Sequence, residues 1–152
     1  MKKIIPDIKP KEGFGHISFG ITTDSLTRIL GEPEEVESFD DDGAFKTTIL
    51  NYWDMGISAF FEGVETEGLS CLETDITEST LYGHKVFEMN EEEIVALMYE
   101  HGFEVAETEL DEDGERRVSY DDALIDFFFL DGELVAVNWG VLVNEKGEIE
   151  EM

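Results

Sequence analysis

The sequence predicts an α+β fold of two tandem repeats, each a helix packed on a four-stranded antiparallel sheet. Three observations predict it. Residues 15–74 and 83–139 can be laid on each other, each half opens on one capped amphipathic helix, and four short alternating segments follow each helix. In the overlay Gly15-His16 meets Gly83-His84, Phe19 meets Phe87, and Leu26, Ile29 and Leu30 fall opposite Ile94, Leu97 and Met98. Further on, Tyr52 meets Tyr120, Ile57 meets Ile125, Phe60-Phe61 meets Phe128-Phe129, and Leu69 meets Leu134. The period is too long for a solenoid, so the pattern reads as two fused copies of one unit. Residues 75–82 then form a linker, and 1–14 and 143–152 form tails.

In the first unit Thr22 is placed to accept a backbone N–H at a helix start. Leu26, Ile29 and Leu30 make a one-sided apolar stripe, and Gly31 and Pro33 end the helix. In the second unit Asn90 caps, Glu93 holds the capping-box position, and Glu91 to Glu93 favour the positive end of the helix dipole. Gly102 closes that helix. Strands are expected at 34–39, 44–52, 56–62 and 69–74, and at 103–110, 115–121, 123–130 and 133–139. Asp42-Gly43, Asp113-Gly114 and Asp131-Gly132 read as hairpin turns.

With 152 residues, 41% hydrophobic and 11% aromatic, the chain has material for a core, and its aromatics argue against disorder. No apolar run approaches the ~20 residues of a membrane span. The opening MKKIIPDIKP is broken by Pro6, Asp7 and Pro10 and does not read as a signal peptide. Cys71 is the single cysteine, which fits a reducing, cytoplasmic setting. The charge is extreme: 38 acidic against 10 basic residues give −28. Such a field repels nucleic acid and anionic lipid, so neither is expected as a partner, and it attracts basic proteins. Maintenance of solubility alone is the competing explanation.

Strand alternation sorts the side chains. Ile57, Ala59 and Phe61 share one face and Ile125, Phe127 and Phe129 its counterpart, each able to pack under a helix. Ser58 and Phe60, and Leu124, Asp126, Phe128 and Leu130, fall on the opposite face. Side by side, two sheets would present one broad aromatic surface with acidic edges, a composition suited to protein binding. Phe60 and Phe128 are the candidate contacts, joined by Tyr52, Trp53, Tyr120 and Trp139 at the strand ends. Packing of these faces on each other, on a tail or in a homodimer remains the alternative.

The run Phe19-Gly20-Ile21-Thr22 through Leu26 and Leu30-Gly31-Glu32-Pro33 resembles the opening of the β-lactamase inhibitor protein (BLIP) family and of the small outer-membrane assembly lipoproteins. The resemblance implies BLIP-like tandem helix-plus-four-strand units whose sheets form a protein-binding face. The second unit has Glu88-Met89-Asn90 where the first has Gly20-Ile21-Thr22. A lipidation cysteine and a disulfide pair are both missing from the pattern.

Motifs for chemistry are scarce. GFG at 13–15 lacks the rest of a phosphate loop, and His16, His84 and His101 show no metal-ligand spacing. Asp40-Asp41-Asp42-Gly43 and Asp111-Glu112-Asp113-Gly114 fail the EF-hand pattern. Cys71 has no cationic neighbour and reads as an inert thiol. No catalytic residue, cofactor or metal is expected. The sequence therefore points to an acidic module that binds a basic protein, an inhibitor or immunity-type protein being the concrete version. The alternatives are a small ligand-binding domain or enzyme using a pocket between the sheets, and a structural homodimer module.

Overall fold

The computed structural model describes residues 5–41, 45–64, 66–144 and 148–149. The expected turn at Asp42-Gly43 lies outside the described residues. The helix signals act locally as read. α1 (Thr23–Leu30) starts where Thr22 Oγ1 accepts the Ser25 N–H and stops at Gly31, whose φ of 92° few other residues tolerate. Leu26 and Leu30 are buried, whereas Ile29 lies exposed at the rim of the stripe. α2 (Glu91–Glu100) carries the full capping box between Asn90 and Glu93 and buries Ile94, Leu97 and Met98.

The strands form two runs. β4 (Glu35–Asp41), β5 (Phe45–Tyr52), β6 (Ile57–Gly63) and β7 (Gly68–Thr74) make one antiparallel meander, and β10 (Glu107–Leu110), β11 (Glu115–Tyr120), β12 (Ile125–Leu130) and β13 (Glu133–Gly140) make another. Before and between them lie β1 (Asp7–Lys9), β2 (Gly13–Phe14), β3 (Ile17–Ser18), β8 (Thr80–Leu81) and β9 (His84–Lys85).

The assembly of these strands corrects the expected fold class. The protein is mostly β, with 47% strand against 15% helix among the described residues, and it does not form α+β repeats of a helix on its own four-stranded sheet. The two meanders fuse through β7 and β13 into one eight-stranded sheet, ordered β10-β11-β12-β13-β7-β6-β5-β4. Each would otherwise leave a bare strand edge, and pairing the two edges satisfies their backbone groups. A second, five-stranded sheet of order β3-β2-β1-β8-β9 is built from segments read as tail, linker and repeat starts. Its strands are two or three residues long, too short for alternation to reveal them. The parallel pair β1–β8 ties the N-terminal segment to the middle of the chain, with Thr80 Oγ1 donating to Asp7 Oδ1 at 3.0 Å.

One core serves both sheets and both helices. Trp139, on the seam strand β13, is fully buried, its ring edge-on to Phe14 at 5.1 Å and its Nε1 donating to Gly13 O at 2.9 Å. A bidentate ion pair from Arg116 on β11 to Glu91 at the start of α2 (2.9 and 3.1 Å) holds that helix on the sheet. The seam is tight at Gly140, where an added Cβ would lie 2.3 Å from Ser70 O. Gly140→Ala therefore forces β13 away from β7, with an expected loss of about 2 kcal/mol. The midpoint of denaturant unfolding checks it.

Candidate functional site

Every buried core residue of the eight-stranded sheet points toward the helices and the small sheet. The opposite face carries none of them. Across it runs a polar row, one residue per strand in register: Glu35, Asn51, Ser58, Glu73, Asn138, Asp126, Ser119 and Glu107. Side-chain hydrogen bonds stitch parts of it together. Asn51 Nδ2 donates to Glu35 and Glu37, Ser58 Oγ to Asn51 Oδ1 at 2.8 Å, and Asn138 Nδ2 to Glu73. Among the described strand residues, Arg117 is the basic side chain on this face, and it is paired with Glu109 on β10.

The expected contact residues separate into two groups. Phe60 and Phe128 lie on this open face, partly exposed, on opposite sides of the polar row. Three strand spacings and four residues of register put them about 20 Å apart, so they flank the surface without touching. Trp53 follows β5 and is 60% exposed. Tyr52, Tyr120 and Trp139 are buried in the core instead and present no surface to a partner. Their alternation places them on the covered side, where α1 and the small sheet close over the strand ends. Tyr52 OH donates to Gly31 O at 2.8 Å and so fixes the end of α1.

Two hollows flank the seam on the open face. One, about 130 Å³, is lined by Trp53, Ser58, Glu73, Asp75, Val135 and Ala136 among others. The other, about 280 Å³, is lined by Glu62, Ser70, Cys71, Asp121, Asp126 and Asn138 among others. Both are smaller than an ordinary small-molecule pocket of about 300–1,000 Å³. Because the two meanders fuse edge to edge, no cleft separates them. A larger crevice of about 590 Å³ lies at the start of α2, where Asn90 and Glu93 are engaged in the helix cap. The two seam hollows are features that sequence reading missed, because each is assembled from strands of both halves.

The Cys71 thiol sits in the larger hollow and donates to Asn138 Oδ1 at 3.2 Å. Burial, and then the carboxylates of Glu73, Glu62 and Asp126, push its pKa up to about 12 against that hydrogen bond. A thiol held protonated is a poor nucleophile. The Asp111 carboxylate accepts the Asp113 and Glu115 N–H groups at 2.9 Å each, so that acidic run builds a turn. No group of three or more metal-type side chains converges among the described residues. Among them, too, no helix is long and apolar enough to cross a membrane.

The raised Cys71 pKa has a definite sign. The native thiol keeps its proton where the unfolded thiol loses it, so this contribution to stability is full below about pH 9 and fades as pH rises toward 12. Cys71→Ala should flatten the loss of stability between about pH 9 and 10, below the range where buried tyrosines add their own loss. Wild-type Cys71 should react with a thiol reagent at pH 8 far more slowly in native protein than in denatured protein. No protein-family model, no curated protein and no solved structure matches this chain.

Proposed function

We propose that this chain is an acidic protein-binding module that engages a basic protein through the open face of its eight-stranded sheet. The observation that carries the reading is the composition of that face. It combines Phe60, Phe128 and the exposed Trp53 with a row rich in carboxylates, and its one strand-borne cation among the described residues is already paired. Aromatic groups supply contact area at low entropy cost, and surrounding carboxylates steer a cationic partner. The net charge of −28 extends that steering beyond the face itself. An immunity-type inhibitor of a basic toxin, such as a nuclease, is the concrete version, since rows of carboxylates imitate a phosphate backbone. A single cysteine supports a reducing compartment, the cytoplasm. Docking of a second copy on the same face would oppose like charges and is the weaker reading.

The test is capture from the native cell on immobilised protein. Between about 0.1 and 1 M salt the screening length falls from about 10 to about 3 Å, so bound basic protein should elute across that range. Phe60→Ala/Phe128→Ala should reduce capture, and Tyr99→Ala, on the exposed side of α2, should not. Capture indifferent to both salt and the open-face variant overturns the proposal.

A further inference from the structure

We infer that the smaller hollow, beside Trp53, is a subsite for one arginine side chain. The inference rests on the open-face reading above and names the group that the face grips. The starting point is the indole. Trp53 is the most exposed tryptophan, at 60%, while Trp139 is fully buried. Its backbone is nonetheless well held: its N–H donates to Glu34 Oε2 at 3.0 Å, and the turn closes with Gly56 N–H on Tyr52 O. A singly exposed aromatic is ordinary; what sets Trp53 apart is that its backbone is fixed on a turn at the wall of a hollow.

The cavity beside it is the second observation. At about 130 Å³ it fits a side chain and not a cofactor. Its walls are of three kinds: the Trp53 indole, the apolar Ile57, Val135 and Ala136, and the carboxylates of Glu73 and Asp75. Asp75 is fixed there by the fold. Its N–H donates to Gly56 O, and its Oδ1 lies where a Cβ on residue 56 would be, at 2.3 Å. Gly56 has a φ of +77°, which favours glycine, and a Cβ there would push the Asp75 carboxylate aside. The floor is held by Thr74 Oγ1 donating to Gly56 O at 2.8 Å and accepting the Ile76 N–H.

Arginine matches these walls better than lysine. Its planar guanidinium stacks on an indole face and forks to carboxylates, and it sheds water more readily than an ammonium. The larger hollow across the seam has no exposed indole: its one aromatic lining residue, Tyr120, is buried, so no ring face stands free there for a guanidinium to stack on. Phe128 lies opposite Ala136 on the neighbouring strand, so the subsite borders one of the two open-face phenylalanines. A partner would then place an arginine beside Trp53 and apolar groups against Phe128.

Proton–nitrogen correlation spectra of the full chain test this directly, because Trp53 and Trp139 give separate indole signals. Titration with argininamide should move the Trp53 signal saturably and leave Trp139 still. Lysinamide should move it much less. Glu73→Gln/Asp75→Asn, isosteric changes at the surface, should weaken argininamide about tenfold. No movement of the Trp53 signal, equal response to lysinamide, or undiminished binding in the double variant overturns the subsite. Those outcomes are separate from the parent reading, which stands or falls on salt-sensitive capture through Phe60 and Phe128.

Discussion

The antiparallel pairing of β7 with β13 is the constraint on which the rest of the molecule depends. Its register, Thr74 with Val137 through Cys71 with Gly140, converts two meanders into one surface. It sets Trp139 opposite Leu72 on the covered side, where the indole reaches Gly13 and Phe14 of the small sheet. On the other side the same register sets Glu73 opposite Asn138, and Cys71 within a hydrogen bond of the same amide. Both hollows border this seam. A slip of one residue would turn each of these side chains to the wrong face, so core and candidate surface are specified by one set of backbone hydrogen bonds.

The acidic residues do different work in different places. Glu93 completes the cap of α2, Glu91 holds Arg116, and Asp111 folds the turn between β10 and β11. These carboxylates have backbone or side-chain partners, and structural contacts account for them. The carboxylates of the open face are different. Glu35, Glu73, Asp126 and Glu107 stand in one row across the sheet, where like charges on directly neighbouring strands would oppose one another. The interleaved Asn51, Ser58, Asn138 and Ser119 separate them and lower that cost, and amide groups bridge several of the gaps. The result is a face that stays folded while holding a field attractive to cations.

The aromatics are sorted by the same geometry. Tyr52 and Tyr120 occupy matching positions in the two halves and both are buried, yet only Tyr52 has a hydrogen bond, to the end of α1. Burial pushes the Tyr120 phenol up to about 12, with Glu91 adding to it. Trp53, one residue beyond Tyr52, falls on the other side of the sheet. The division between stabilising aromatics and aromatics available to a partner thus runs through adjacent positions in the chain.

Features set by near neighbours along the chain were legible in its residues. Thr22, Asn90 and Glu93 cap through bonds spanning three residues, and alternation assigned Phe60 and Phe128 to one side and Phe61 and Phe129 to the other. Helix and strand positions in both halves followed from such signals. Tertiary structure alone decided that the meanders share one sheet, that two- and three-residue strands build a second, and that Tyr52, Tyr120 and Trp139 are core. Those outcomes rest on contacts between residues far apart, such as Cys71 with Asn138 and Gly13 with Trp139. A strand edge carries no mark of which distant edge will pair with it, and an aromatic at a strand end is buried only when another part of the chain closes over it.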